Sequence, residues 1–553
     1  MKLVTLPEMQ EIERQADANG LTYDEMMEHA GSGLAEEIDR RYETLKEEGA
    51  LGLVGSGNNG GDALVALEKL AKEGWKTAAY IVLKRPADDP LIKRFRAAGG
   101  KIYISEEDKN LKKLKDLVAE NMVLVDGVLG TGIKLPLRGQ VAEALAAVKQ
   151  AIASADEYKQ VVAVDCPSGV DSDTGDAAPE TIQADLTVTM AAVKRGLLDF
   201  PASELAGEIV VVGIGLEQSG LQIKAWDSIK RMVADAGMVR EWLPARPGNA
   251  HKGTFGTALV IAGSINYTGA ALLSGKAAYR VGAGLVTLAI PSPLHSALAG
   301  QFPEATWLLL PHEIGVIAQG AVEVIRENLE RPTAMLLGPG FGTEDTTKEF
   351  ITRLIGAESA RHRRSIGFIP PAEAEHASGK NQLPPMVIDA DGLKLLAGIP
   401  NWHANLPEGM VLTPHPGEMS VLTGLPVEEI QADRLGVAEK YANEWRHIVV
   451  LKGANTVIAK PGGDTVVIPV ASAALARAGT GDVLAGLITG LRAQGVEGFQ
   501  AAVSGCWIHA QAGLLAAEYL GNTASVLAGD VLDSVAEVLS ELILGDEAKN
   551  RSE

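Results

Sequence analysis

From about residue 50 to 215, short apolar runs alternate with stretches in which hydrophobic positions recur every three or four residues. LGLVGSG, TAAYIVL, NMVLVDGVLG, QVVAVDCPSG, ADLTVTMAA and EIVVVGIG are near-continuous apolar runs, the pattern of strands covered on both faces of a parallel sheet. Between the first two, Leu64, Leu67, Leu70 and Ala71 share one helical face, and Gly74 supplies a C-terminal stop. The first 45 residues predict two amphipathic helices packed onto this sheet. A second series begins at TALVIAGS (257–264) and runs through TAMLLGPG, PMVIDADG, GMVLTPHPGE, HIVVLKGANTVIA and DTVVIPV. It closes in helical patterns, LAGLITGLRAQG and AAVSGCWIHAQAGLLAAEYLG. Alternating strands and helices in both series predict an α/β fold with crossover connections.

Between the series, the polar, glycine- and proline-broken stretch after Glu217 reads as a linker, with the boundary near residues 218–235 and domains of 1–222 and 230–553. Residues 357–385, rich in charge and proline, read as a solvated surface insertion. Its His362 and His376 lack metal-ligand spacing, and no internal repeat is present.

A length of 553 residues calls for more than one hydrophobic core. The net charge of −21 argues against nucleic acid and anionic membrane as partners, because a phosphate backbone needs a cationic face. Two cysteines, Cys166 and Cys506, are too few for a disulfide framework or a cysteine zinc site, which suits a reducing cytoplasm. The first residues lack the apolar core of a signal peptide, and no run of 18 apolar residues occurs, so a soluble cytoplasmic protein is expected.

The stretch GSGNNGGD contains a literal G-x-G-x-x-G between strand and helix, with Lys84 and Arg85 after the next strand as candidates for a 2′-phosphate. A dinucleotide fingerprint does not require the polar Asn58, Asn59 and Asp62 inside it, although asparagines tolerate unusual turns and Asp62 would serve as a helix cap. Two further strands end in the same manner: Asp126 precedes Gly130, Thr131 and Gly132, and Asp165 precedes Pro167, Ser168, Gly169 and Asp171. Ligands of doubly wound sheets bind outside the carboxyl ends of the strands, where these loops converge. Asn59, Asp126 and Ser168 together would offer an oxygen-rich site for a hard cation.

GNNGGD, VDGVLGTG with a following RG, and VDCPSGVDSDTG resemble the NAD(P)H-hydrate epimerase family over roughly residues 1–220; MMEHAG and Lys194 fit the same pattern. The resemblance implies a Rossmann-like domain. It also implies contacts to the hydrated nucleotide from Asn58, Asn59, Gly60, Gly61, Asp62, Gly130, Thr131, Gly132, Ile133, Lys134, Leu135, Pro136 and Asp165, with potassium on Asn59, Asp126 and Ser168. Epimerisation at C6 needs acid–base help, and Asp126 and Asp165 are its two candidates. Ala63, where the family usually has glycine, and Cys166, where it usually has isoleucine, are small departures that bear on packing rather than chemistry.

In the second half, LARAGTGDVLAG opens a helix with Gly479, Thr480, Gly481 and Asp482. Backbone N–H groups at such a turn bind phosphate, and an aspartate beside them can take a proton from an attacking hydroxyl. With the segment 251–286, LLGPGFG, VIDADGL, LTPHPGE and VLKGANT, the order resembles ribokinase-like proteins and more narrowly the ADP- or ATP-dependent NAD(P)H-hydrate dehydratases. The resemblance implies nucleotide contacts at Lys452, Gly453, Ala454, Asn455, Thr456 and Gly481, substrate contacts at Ala270, Gly340, His415 and Asp482, Asp482 as base, and Mg²⁺ with the nucleotide. Asp389 and Asp391 are left between phosphate contact and helix capping, and Ser472 stands where the family often has asparagine.

Together the halves imply repair of NADHX and NADPHX: epimerisation of R and S hydrates, then ADP- or ATP-dependent dehydration of S. A ribokinase-like small-molecule kinase with a regulatory first half, or a nucleotide sensor without turnover, are the competing readings. A homo-oligomer stays open.

Overall fold

A computed structural model describes residues 1–86, 88–217, 220–357 and 383–544, which form two compact units, Met1–Val233 and Ala234–Glu553. His362 and His376 lie outside the described residues.

The first unit holds a sheet of seven parallel strands: β2 (Ala50–Val54), β3 (Thr77–Ile81), β4 (Lys101–Ile104), β5 (Val123–Gly127), β6 (Gln160–Val164), β7 (Leu186–Met190) and β9 (Glu208–Val212). Their spatial order is β4-β3-β2-β5-β6-β7-β9. Alternate residues of each strand feed opposite cores: Ala50, Val54, Ala79 and Ile81 pack with helices α1 (Leu6–Ala18), α2 (Tyr23–Tyr42) and α3 (Asn58–Lys72). Leu51, Leu53, Ala78 and Tyr80 pack on the other face with α5 (Lys112–Glu120) and α6 (Gly139–Ala153), after α4 (Pro90–Ala97) on the first. This is the doubly wound arrangement, with helices covering both faces. The order reverses between β2 and β5, so a crevice opens where the loops after these strands part. Two short strands, β1 (Leu3–Val4) and β8 (Val193–Lys194), pair in parallel, Leu3 with Val193 and Val4 with Lys194.

The stretch expected to be a linker folds largely onto the first unit. Ile223 belongs to its core, Leu221, Trp226 and Ile229 pack against that core, and the Ala225 N–H donates to the Gln15 side chain at 3.1 Å. A helix at Lys224–Ser228 and strand β10 (Arg231–Val233) follow. Four well-spaced apolar side chains outweigh the polar composition here.

The second unit has strands β11 (Thr257–Ile261), β12 (Leu285–Pro291), β13 (Thr306–Leu310), β16 (Ala334–Leu337), β17 (Met386–Ile388), β18 (Val411–Leu412), β19 (Ile448–Leu451), β20 (Val457–Ala459) and β21 (Thr465–Val467), with a small hairpin of β14 (His312–Glu313) and β15 (Val316–Ile317) to the side. Its large sheet runs β21-β20-β19-β18-β17-β16-β11-β12-β13. The pairs from β13 to β19 are parallel and the last two are antiparallel. Here the order reverses between β11 and β16. Strands β4, β12 and β13 are absent from the sequence expectation; β4 and β13 are edge strands with partly exposed residues, which breaks the continuous apolar run. Among the described residues, no helix is long and apolar enough to cross a membrane.

Candidate functional site

At the first crevice, Gly57 caps α3 with extended backbone, and Asn58, Asn59, Gly60 and Gly61 form the opening turn. Glycine is obligatory at two points of this loop. A Cβ on Gly55 would lie 1.9 Å from the Val128 carbonyl oxygen, and one on Gly60 would lie 2.2 Å from that of Gly55. Asp62 sits beyond the cap, one turn into the helix, and is buried; it is therefore not the helix cap that the sequence allowed.

The three loops are tied to one another. Asn59 donates through Nδ2 to the Leu129 carbonyl at 3.3 Å and to that of Val164. Ser168 Oγ donates to Asp126 Oδ1 at 2.6 Å and accepts from the Leu129 N–H at 2.8 Å, while the Ser168 N–H donates to Asp126 Oδ2 at 2.8 Å. Burial raises the Asp126 carboxyl, with the Ser168 hydrogen bonds opposing. Asp165 adopts φ +66°, a left-handed conformation unfavourable for a side chain. Its Oδ1 accepts from Thr189 Oγ1 at 3.0 Å, the Met190 N–H at 3.0 Å and the fully buried Lys194 ammonium. Gly130 to Pro136 form an exposed loop whose residues Ile133 to Pro136 line an open cleft with Leu129 and Val141.

A group not singled out in the sequence joins this site. Glu13 of α1 is raised, first by burial, and feels both Lys194 and Asp165. Asp62 is held well above the ordinary carboxylate range by burial, then by the charges of Asp165 and Glu13, with Lys194 opposing. Glu13 and Asp62 thus both feel the Asp165–Lys194 pair, and burial shifts each carboxyl upward. Arg85 is turned inward onto the glycine loop, while Lys84 is exposed.

In the second unit, Gly340 approaches Ala270 so closely that a Cβ on it would lie 2.8 Å from the Ala270 Cβ, which joins the loops after β11 and β16 at the reversal of strand order. Gly479, at φ +90°, caps the helix Thr480–Ala493 without a side-chain cap; the Thr480 N–H donates to the Arg477 carbonyl at 3.4 Å, and Asp482 lies in the first turn. Lys452 Nζ lies 2.6 Å from Asp389 Oδ1 and 3.7 Å from Glu418 Oε2. A Cβ on Gly481 would come 3.6 Å from that ammonium, so the phosphate-type turn faces the lysine. Burial acts to lower Lys452, but the carboxylates of Asp389, Glu418 and Asp482 win and raise it. Burial, then the Asp389 charge, pushes Asp482 up to about 7, with Lys452 opposing.

His415 caps the helix Pro416–Thr423: Nδ1 accepts from the Gly417 and Glu418 N–H groups at 3.0 and 3.3 Å, and Glu418 Oε2 accepts from the His415 N–H at 2.9 Å. Burial lowers the histidine, in line with an accepting Nδ1. Lys452 to Thr456 make the turn from β19 to β20, with Gly453 at φ +140° and Asn455 at φ +50°. Ser472 caps a short turn through the Ala474 N–H. Asp389 and Asp391, left open from the sequence, have separate duties: Asp389 pairs with Lys452 and Thr413, and Asp391 accepts from the Gly342 N–H at 3.0 Å and from Lys394 at 3.0 Å. Ala390 between them is at φ +53°, a strained conformation for a residue with a side chain. Among the described residues, no group of three or more His, Cys, Asp and Glu side chains is arranged to hold a metal ion.

The family described as YjeF-related protein N-terminus matches residues 23–196, and the family described as NAD(P)H-hydrate dehydratase matches residues 258–535. A solved ADP/ATP-dependent NAD(P)H-hydrate dehydratase from Bacillus subtilis, co-crystallised with ATP and Mg²⁺, is 27% identical and covers 56% of this chain and 98% of its own, with a TM-score of 0.45. The bifunctional NAD(P)H-hydrate repair enzyme of Salinibacter ruber is 35% identical over 94% of this chain and 93% of its own. That of Moorella thermoacetica is 34% identical over 98% of this chain and 97% of its own. With both halves matched in order over nearly the whole length, the chain belongs to the family of bifunctional NAD(P)H-hydrate repair enzymes, in which an epimerase domain is joined to a dehydratase domain.

Proposed function

We propose that the crevice between β2 and β5 is the epimerase site and that the Gly479–Asp482 turn, with Lys452 and Asp389, is the dehydratase site. The observation that carries the second assignment is Asp482, a carboxyl at about 7 beside a helix N-terminus and a lysine. The substrates are NADHX and NADPHX, with ADP or ATP, accompanied by Mg²⁺, as phosphoryl donor.

In the dehydratase site, the nucleotide lies along Lys452 to Thr456 with its terminal phosphate at the Gly481 N–H, where the helix dipole favours negative charge. Asp482 takes the proton from the C6 hydroxyl as its oxygen attacks phosphorus, and the donor's bridging bond breaks. The lone pair of the ring nitrogen then expels phosphate from C6. Loss of a proton from C5 restores the double bond of NAD(P)H. Ala270 and Gly340 give the ring a close, flat approach, and His415, whose Nε2 lies 3.3 Å from Glu418 Oε1, borders it.

In the epimerase site, the donor set of the Asp126 carboxylate, Ser168 Oγ, the Asn59 side-chain oxygen and the Leu129 and Val164 carbonyls is wholly oxygen with one formal negative charge, which suits potassium. Bound there, the ion would supply positive charge next to the substrate. Its burial-raised carboxyl is the group such a charge would hold ionised. Both Asp126 oxygens accept from Ser168, whereas the bonds to Asp165 all fall on Oδ1, so the second oxygen of Asp165 is the better placed to move a proton at C6.

The test is incubation of purified protein with mixed R and S NADH hydrates and ADP or ATP, following NADH absorbance. Recovery of the whole mixture is expected. Recovery of half would mean a silent epimerase, and a stable phosphorylated product without NADH would mean a small-molecule kinase.

A further inference from the structure

Arg85, which follows β3, is nearly enclosed: its side chain is 9% exposed and that of its partner Asp89 is 5% exposed. Arg85 Nε donates to Asp89 Oδ2 at 2.6 Å, and Asp89 Oδ1 accepts from the Leu91 N–H at 2.8 Å, which caps α4. The far end of the guanidinium crosses to the glycine loop. Nη1 donates to the Gly55 carbonyl at 2.8 Å and reaches that of Gly57 at 3.3 Å. The Gly57 carbonyl also accepts from the Gly61 N–H at 3.2 Å, the first hydrogen bond of α3.

A peptide unit is planar, with C=O and the following N–H pointing in opposite directions. Fixing the Gly55 and Gly57 carbonyls on Arg85 therefore turns the Ser56 and Asn58 N–H groups away from it. On its other side the loop has no room to move, because Gly55 lies against the Val128 carbonyl and Gly60 against Gly55. A planar cation suits this role because Nε holds the buried carboxylate while Nη1 reaches both carbonyls, whereas an ammonium would have to meet all three from one atom.

We propose that Arg85 is a positioning residue of the epimerase: held by Asp89, it sets the Gly55–Ser56 and Gly57–Asn58 peptide planes so that their N–H groups meet the anionic pyrophosphate of the hydrated dinucleotide. It does not read the 2′-phosphate, and so does not separate NADHX from NADPHX. This rests on the β2–β5 crevice being the epimerase site.

The experiment uses the full chain without added nucleotide, follows R-to-S conversion of each hydrate by chromatography, and compares Arg85→Met and Arg85→Lys with the parent. Loss of a charge-assisted hydrogen bond predicts that Arg85→Met raises KM for both hydrates by the same factor, about tenfold, with kcat changed less than about threefold. Arg85→Lys is expected to fall between, and free guanidinium to restore part of the loss in Arg85→Met. Dehydration of the S hydrate by the same preparations stays at the parental rate. A loss confined to the NADPH hydrate would overturn the proposal in favour of phosphate reading. An unchanged KM, or a lowered melting temperature with unchanged KM, would reduce Arg85 to a structural ion pair. If Arg85→Met folds poorly, the equal or unequal effect of Arg85→Lys on the two hydrates decides the same question. A parent chain without R-to-S conversion would instead remove the underlying site assignment.

Discussion

The two crevices share a plan and differ in how they treat acid. Each lies where strand order reverses, and each sets a glycine turn at a helix N-terminus against an aspartate. In the first unit the strand-end aspartates are held unequally: both oxygens of Asp126 accept from Ser168, while one oxygen of Asp165 accepts from Lys194, Thr189 and the Met190 N–H. In the second, Asp389, Glu418 and Asp482 gather about Lys452, and Asp482 is left to titrate near neutrality. A carboxylate with both oxygens engaged, as in Asp126, holds a shape. An under-compensated one keeps a proton affinity suited to a base.

The sharpest way to break this contrast is Asp482→Asn. Removal of a general base predicts a loss of about 10² to 10⁴ in the dehydration rate, with R-to-S conversion unchanged. Equal NADH production by parent and variant would show that the poised carboxyl is not the base. Asp126→Asn should act on the other half alone: epimerisation falls by about ten- to a hundredfold, the usual scale for disturbing an ion's coordination, and extra potassium recovers part of it. Loss of both activities in a folded variant would contradict separate sites.

The smallest expected effect sharpens the electrostatics. Asp482 must be ionised to act, so kcat/KM for the S hydrate should rise with pH through about 7 and level off above it, roughly tenfold from pH 6 to 7.5. Stability moves the opposite way. A folded-state value above the unfolded one means the folded chain binds the extra proton, so stability falls as pH rises from the ordinary carboxylate value to about 7. Asp482→Asn should therefore melt higher than the parent at pH 8 and nearly equally at pH 4. A flat rate profile, or no difference in melting, would mean the carboxyl is not raised.

Much of this was legible because it is local. Runs such as LGLVG and VLVDG name their strands by apolar continuity, and GNNGGD and GTGD mark turns that their neighbours in sequence already require. What escaped is long-range pairing of charge. Nothing near Lys452 announces Asp389, 63 positions away, nor does α1 announce that Glu13 will face Lys194. Arg85 belongs with these: its spacing after the strand made it one candidate for a phosphate, and its pairing with Asp89 and the Gly55 carbonyl is a matter of the fold. Exposed edges such as β4 were missed because one-sided burial leaves no continuous apolar run. The units divide at Val233/Ala234, inside the window expected for the boundary, and what composition averages away is that four apolar side chains before it pack on the first unit.

The pairing of β1 with β8 has a consequence in time. Leu3 and Val4 lie at the start of the first unit, but their partners Val193 and Lys194 come near its end. The lysine that neutralises Asp165 is thus seated by one of the most sequence-distant contacts of that domain. Contacts of this kind form late, because chain entropy must be surrendered before they give anything back. The nascent sheet can assemble strand by strand, yet the pocket at Asp165 acquires its counter-charge only when the two ends of the domain meet.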